Sequence, residues 1–271
     1  MREKILVDGH VHLYGCANRQ RFLEAAWQNL SAAADTVDAA QWRACLLFTE
    51  TARDSAFDDL RAADGAVLSG GWTVQALPDD LAAVLLHRGK DGAALTVIAG
   101  RQVVTAEGIE VLALATARRF EDGQSTGLLL NELRAAGIPA VLPWGLGKWM
   151  GRRGRLVAGL VRGQVGPGLL LGDNAGRPPG WGKPALFQSA AVRGIAVLPG
   201  TDPLPLPGAE EGVGRYGFTL DGGLDPKQPA VDMARRLIAL KDQPPVFGRR
   251  RALGTVLGEQ IALRRRKRAP V

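Results

Sequence analysis

Two of the three histidines in this chain, His10 and His12, follow a short apolar run at its beginning. The run Ile5-Leu6-Val7 predicts a buried parallel strand. Side chains at positions i and i+2 of an extended chain point to the same side, so both imidazoles leave the end of this strand together. Neutral imidazole is a common ligand of Zn, Fe and similar ions. The pair therefore predicts a metal site; the alternative is a solvated loop pair, or histidines satisfied by ordinary hydrogen bonds.

The composition indicates a globular protein, with 46% hydrophobic and 23% charged residues in 271. No stretch approaches the ~20 consecutive apolar residues of a membrane helix. The N-terminal residues run directly into the first predicted strand, so we expect no secretory signal. Two cysteines, Cys16 and Cys45, do not make a disulfide framework. Together these features favour a cytoplasmic protein with reduced thiols.

The net charge of +7 is concentrated near the C-terminus, where residues 249–251 and 264–268 supply eight positive charges. Without these residues the chain is close to neutral. We expect residues 249–271 to form a basic helix or tail. It is either a solvated segment or a contact for nucleic acid, an acidic partner or an anionic membrane surface. The nucleic-acid alternative lacks interleaved aromatic residues and any recognisable binding module.

The order of predicted elements indicates a single α/β domain over residues 1–248. Helical spacing of apolar residues predicts a helix over residues 19–34, and residues 44–48 are typical of a second buried strand. Residues 72–115 favour antiparallel hairpins. From residue 125 onward, strand, polar turn and helix alternate, which predicts βαβ units. We therefore expect a distorted (β/α) barrel of seven or eight strands, TIM-like, with an antiparallel excursion. The strands at residues 5–7 and 195–198 would share one sheet.

A barrel brings the C-terminal ends of its strands to one mouth. Two imidazoles plus two or three carboxylates there would hold one divalent ion with an open position for water. Asp202 fits a metal ligand and a simple turn residue equally well. Arg101 or Lys148 would bind an anionic group of a small-molecule ligand. The polar or aromatic residues at the predicted strand ends are Asp8, His10, His12, Glu50, Gln102, Trp144, Asp173, Asn174 and Asp202.

The opening segment Asp8-Gly9-His10-Val11-His12 resembles the first motif of PHP-domain (polymerase and histidinol phosphatase) phosphoesterases and of the wider amidohydrolase-like barrels. Weaker similarities follow in the family's order along most of the chain, at residues 47–51, 100–114, 139–144 and 200–202. The resemblance implies a metal-dependent hydrolase of the phosphoesterase class. By position it assigns metal binding to His10, His12, Glu50 and Asp202, with Glu50 and Asp202 also as catalytic groups.

The departures from the family pattern predict a reduced metal site. Gln102 stands where the family has a bridging Glu, Trp144 and Leu204 replace histidines, and Thr51 replaces another. The remaining groups would hold at most one Zn, Mn or Fe ion, with Gln102, Trp144, Asp173 and Asn174 lining the substrate pocket. The alternative is an inactive barrel that binds a ligand or partner, in a pocket lined by Trp144, Trp149 and Trp181.

Overall fold

The computed structural model describes residues 3–268 except 38, 40, 146, 164, 165, 179 and 181. Seven helices in this part of the chain surround two sheets. The strands are β1 Glu3–Val11, β2 Gln41–Phe48, β3 Val67–Leu68, β4 Trp72–Leu77, β5 Asp80–Arg88, β6 Ala93–Ile98, β7 Gly100–Val104, β8 Glu110–Leu114, β9 Ala140–Pro143, β10 Leu169–Asn174, β11 Val197–Gly200, β12 Tyr216–Asp221 and β13 Val246–Gly248. The helices are α1 Arg19–Ala34, α2 Ala56–Ala62, α3 Thr126–Ala135, α4 Gly151–Arg162, α5 Ala185–Ala191, α6 Pro229–Ala239 and α7 Leu253–Arg268, with a short 3₁₀ helix at Ala209–Gly212.

Both sheets are open and mixed. The first has eight strands in the order β13-β12-β1-β2-β6-β5-β4-β3, and the second has five in the order β11-β10-β9-β8-β7. In the first sheet β1 pairs with β2 in parallel and with β12 antiparallel. In the second, β9, β10 and β11 are parallel, and β8 is antiparallel both to β9 and to the edge strand β7.

The predicted TIM-like barrel is wrong, and so is the prediction that residues 5–7 and 195–198 share a sheet. The first strand has both of its edges occupied, by parallel β2 and antiparallel β12, so β11 cannot pair with it. At its other edge, β2 pairs with β6, the last strand of the antiparallel β4–β5–β6 meander, and not with β7 of the second sheet. The sheets are therefore two separate ladders, joined at this side by an isolated bridge between Glu50 and Arg101.

Local elements follow the sequence pattern closely. Helix α1 occupies the predicted residues 19–34, and the Asn18 side chain accepts a hydrogen bond from the Arg21 amide at its N-terminus. Ser125 caps α3 in the same way, and Gly137 beyond its C-terminus has a φ of 67°. The predicted hairpins between residues 72 and 115 are present as β4–β5–β6 and β7–β8.

Alternating residues of β1 serve two hydrophobic cores. Leu6 packs in the cluster that includes the buried face of α1. Its neighbours Ile5 and Val7 belong to a cluster with Leu170 and Leu198 of the second sheet. Successive side chains of a strand point to opposite faces, so β1 is buried on both sides. The core between the two sheets therefore fixes their relative position near the end of β1.

The C-terminal basic segment forms a helix within the described residues. Helix α7 is attached near its beginning by buried Val256 and by the ion pair of Arg251 with Glu259 at 2.9 Å. Arg264 and Arg265 are exposed, and residues 269–271 lie outside the described part. Among the described residues no helix combines the length and the apolar character needed to cross a bilayer.

Deleting residues 264–271 should leave the melting temperature within about 2 °C of the full chain, because Arg264 and Arg265 are exposed. Differential scanning calorimetry measures the shift. Deletion from residue 253 onward is the comparison: it also removes Val256 and Glu259 and should lower the melting temperature by about 3 °C or more. A shift of that size for the shorter deletion would show that the basic end packs on the protein.

Candidate metal centre

Three metal-ligating side chains converge at the end of β1. The Nε2 atoms of His10 and His12 are 3.0 Å apart, and Oδ1 of Asp202 lies 3.6 Å from the first and 3.8 Å from the second. Both histidines are buried, and the Asp202 side chain is 15% exposed. Within the described part of the chain, these three residues make up the group of three or more His, Cys, Asp or Glu side chains that could hold a metal ion.

The spacing of these atoms fits one tetrahedral ion. Ligand atoms at ~2.0–2.1 Å from a tetrahedral zinc ion lie roughly 3.3 Å from one another. The three observed separations, 3.0, 3.6 and 3.8 Å, bracket that value. Two imidazoles and one carboxylate leave a coordination position open for water or substrate. The donor set therefore suits a mononuclear site of the open type.

Two glycines allow the sheets to approach closely enough to form this group. A Cβ atom on Gly200 would lie 2.4 Å from the His10 amide nitrogen, and one on Gly9 would lie 2.7 Å from the Pro199 carbonyl oxygen. Any side chain at either position would push β1 and β11 apart. The contact also lets the Asp202 amide donate a 2.8 Å hydrogen bond to the His10 carbonyl.

The orientation of the Asp202 carboxylate is set by its neighbours. Asn174 Nδ2 donates to Oδ2 of Asp202 at 2.8 Å and to the Trp144 carbonyl at 2.7 Å, so Oδ1 is the oxygen that faces the histidines. Arg251 Nη2 donates to the carbonyl oxygens of Thr201 and Asp202, each at 2.9 Å. These bonds hold Asp202 in a left-handed conformation with φ 47°, which is uncommon for residues other than glycine but is most accessible to Asp and Asn.

Asp8 joins β1 to β11 from inside the protein. Its carboxylate accepts hydrogen bonds from the Thr201 amide at 2.9 Å, the Thr201 hydroxyl at 2.5 Å, the Gly214 amide at 2.9 Å and the His10 amide at 3.3 Å. Burial raises the pKa of Asp8 to about 6, against the opposing effect of these bonds. Asp8 is therefore positioned to hold the residue next to Asp202, and its own oxygens are already occupied by donors.

Both histidines are held in the neutral form. Burial lowers the pKa of His10, and it lowers the pKa of His12 to about 4 with a contribution from His10. Burial alone would raise the pKa of Asp202, but the two imidazoles and the cations of Lys148 and Arg251 outweigh it and leave that pKa lowered. At neutral pH the group is thus two neutral imidazoles and a carboxylate, the protonation state that metal binding requires.

Two of the predicted carboxylates lie in ion pairs instead. Glu50 accepts from Arg101 Nη1 at 2.6 Å and from the Phe57 amide at 2.7 Å, and it is not part of the ligand group. Asp173 forms a bidentate pair with Arg177, both bonds being 2.6 Å. Each carboxylate is neutralised by a buried guanidinium and is not available as an additional ligand in this arrangement.

The predicted pocket residues have different roles. Burial lowers the pKa of His10, and the hydrogen bond from the Gln102 side chain opposes that lowering. Trp144 is buried in the core of the second sheet and contributes its carbonyl to Asn174. Lys148 is paired with Glu110, and its charge acts on both His10 and Asp202. Trp181 lies outside the described residues.

Tyr14 is a residue at this site that sequence reasoning did not identify. Its ring stacks on His12, with centroids 5.0 Å apart and an interplanar angle of 15°. Burial raises the pKa of its hydroxyl, and the carboxylates of Asp202 and Asp54 add to that effect. The position two residues after His12 is the one signal in the sequence that could have indicated it, because i and i+2 share a side in extended chain. Tyr14 forms a wall of the site and fixes the His12 ring.

Comparison with known proteins identifies a structural neighbour but no family. No family model matches the chain, and no curated protein is significantly similar to it. The chain shares its fold with PsfC from Pseudomonas syringae PB-5123. The crystal structure of that protein superposes with a TM-score of 0.55 over 97% of this chain and 98% of the other, at 15% sequence identity. At that identity the similarity describes the fold alone.

Replacing Asp8 by Ala should lower the free energy of unfolding by about 3 kcal/mol or more, since it leaves three buried donors of Thr201 and Gly214 without an acceptor at about 1–3 kcal/mol each. Urea denaturation measures the change. Asp79→Ala, at an exposed carboxylate, is the matched control and should stay within about 0.5 kcal/mol of the wild type. Equal, small effects of both variants would contradict the structural role of Asp8.

Replacing Asn174 by Ala should weaken zinc binding by roughly 10–100-fold, because the Asp202 carboxylate loses the bond that orients it. Competition with a fluorescent zinc chelator measures the dissociation constant. Asn131→Ala, at an exposed helix position, is the control and should leave the constant unchanged. Unaltered affinity in Asn174→Ala would mean that Asp202 is oriented by its backbone alone.

Proposed function

We propose that this protein is a metal-dependent hydrolase with a single divalent ion bound by His10, His12 and Asp202. The observation that supports it is the convergence of two neutral Nε2 atoms and one carboxylate oxygen within 4.8 Å of one another in a largely buried site. Two histidines and a carboxylate form ligand sets for Zn and for Fe(II). The proposed ion is Zn, Mn or Fe, and elemental analysis decides between them.

The chemistry proposed for the site is activation of water. A divalent ion lowers the pKa of a water molecule in its open position and polarises an acyl or phosphoryl oxygen. The chain contributes the geometry: Asn174 directs Oδ1 of Asp202 inward, and Tyr14 fixes the ring of His12. Gln102 contacts His10 from the side of β7.

A phosphoesterase centre with several metal ions is not part of the proposal. Such centres place two ions ~3.5–4 Å apart to stabilise both the attacking and the leaving oxygen, and they need bridging carboxylates. Within the described residues the ligand group has three members, while Glu50 is engaged by Arg101. Gln102 is neutral at the position of a bridging carboxylate. We therefore expect very weak or absent hydrolysis of simple phosphomonoesters, even with added Mn or Zn.

Metal content and ester hydrolysis test the proposed function together. Protein purified without chelator or an affinity metal should contain about one ion per chain, and His10→Ala and His12→Ala should each lose most of it, because each removes one of three ligands. His87→Ala is the matched control: this third histidine is exposed and contacts Gln75, so its loss should not change the metal content. Inductively coupled plasma mass spectrometry gives the stoichiometry.

The activity measurement uses 4-nitrophenyl acetate with protein loaded with Zn, Mn or Fe(II). Turnover should disappear with EDTA and in His12→Ala, and should persist in His87→Ala. Stoichiometric metal without any turnover across ester, amide and lactone substrates would contradict the hydrolase and leave a metal-containing binding protein. Absence of metal in the wild type, after incubation with each ion, would contradict the metal site itself.

A further inference from the structure

A cavity of about 430 Å³ lies beside the candidate metal centre. Its walls come from the start of α7, the 3₁₀ helix at Ala209–Gly212 and the segments that follow β11 and β13. Four arginines and two glutamates line it, so positive charge is in excess by two. We name this cavity the arginine cleft; its charged residues are Arg215, Arg249, Arg250, Arg251, Glu211 and Glu259.

Two of these arginines are held next to each other by the sheet. Tyr216 pairs with Gly248 in antiparallel register, so Arg215 and Arg249 lie opposite each other at the next position along the two strands. The Arg249 amide donates a hydrogen bond to the Arg215 carbonyl at 3.3 Å. The crossing is tight, because a Cβ atom on Gly248 would lie 1.8 Å from the Arg215 carbonyl oxygen. Like charges on neighbouring strands destabilise a sheet. A bound anion would relieve that repulsion.

The other two arginines are fixed by hydrogen bonds to the protein. Arg251 bonds to Glu259 and to two backbone carbonyls, while its Nε is buried without a hydrogen-bond partner. Arg250 Nη1 donates to the carbonyl oxygens of Arg177 and Pro178 at 3.4 and 3.5 Å. Guanidinium groups that are already held in place lose less conformational entropy when a ligand binds.

We propose that the arginine cleft binds an oxyanion with two or more negative charges, of the phosphate or dicarboxylate type. The planar donor fork of arginine matches the geometry of both groups, and the excess of two positive charges matches a dianion. Arg251 contacts the backbone of Asp202, so the anion would lie close to the metal ligands. Binding in the cleft does not require a metal and is independent of the proposed hydrolase activity.

Calorimetric titration of the full chain, stripped of metal with EDTA and then dialysed into chelator-free buffer, tests the proposal. The probes are inorganic phosphate and malonate, each at constant ionic strength set with NaCl. We expect saturable binding of at least one probe, and a dissociation constant raised about 10-fold or more in Arg249→Ala and in Arg215→Ala, since each removes charge-assisted hydrogen bonds. The stronger of the two probes identifies phosphate or carboxylate as the preferred group.

Arg152→Ala is the matched control, because Arg152 is exposed on α4 and does not line the cleft. It removes the same charge and should leave the dissociation constant unchanged. Equal weakening in Arg152→Ala, or no saturable binding of either probe, would overturn the proposal. Arg249→Lys separates a loss of binding from a folding defect. It keeps the positive charge but loses the paired donors of the guanidinium group, so its affinity should fall between those of the wild type and Arg249→Ala. Since the metal is removed before the titration, a negative result does not depend on the metal centre.

Discussion

The carboxylate of Asp8 is buried where the two sheets meet, and the candidate ligands depend on its bonds. Leaving a carboxylate in the interior is costly unless donors surround it, and Thr201 and Gly214 supply three of them. Thr201 is thereby fixed against β1, and the next residue, Asp202, comes to lie opposite the histidines. The small residues Gly9 and Gly200 make the approach sterically feasible. The close packing, the Asp8 hydrogen bonds and the positions of the candidate ligands thus all depend on the same short contact between β1 and β11.

Local features of this fold are readable from the sequence, whereas the pairing of its strands is not. The bounds of α1 and the caps of α3 follow from apolar spacing and from Asn18, Ser125 and Gly137. The strand that pairs with the second edge of β1 is β12, more than 200 residues further along the chain. No local sequence pattern shows that this partner is an antiparallel β12 and not a parallel β11. A repeated strand–helix order therefore predicted a closed barrel, although two open sheets satisfy the same local preferences.

The site shows the same division. His10 and His12 are separated by one residue, and their common direction follows from strand geometry. Asp202 lies beside them in the structure, whereas its position after a strand fits a turn residue equally well. The partner of Glu50 is Arg101, 51 residues further along the chain, and nothing near Glu50 indicates that it will be neutralised. Asp173 is different, since its partner Arg177 stands only four residues away and could have been identified as a competing cation.

The link between Asp8 and Thr201 spans 193 positions of the chain, and it has a consequence for protein synthesis. A ribosome delivers the N-terminal histidines first, long before the segment that carries Asp202 and Gly214 exists. During that interval the nascent chain presents two imidazoles without their carboxylate and without the strands that bury them. Complete assembly of the ligand group must therefore wait until synthesis has passed Thr201, 193 positions after Asp8.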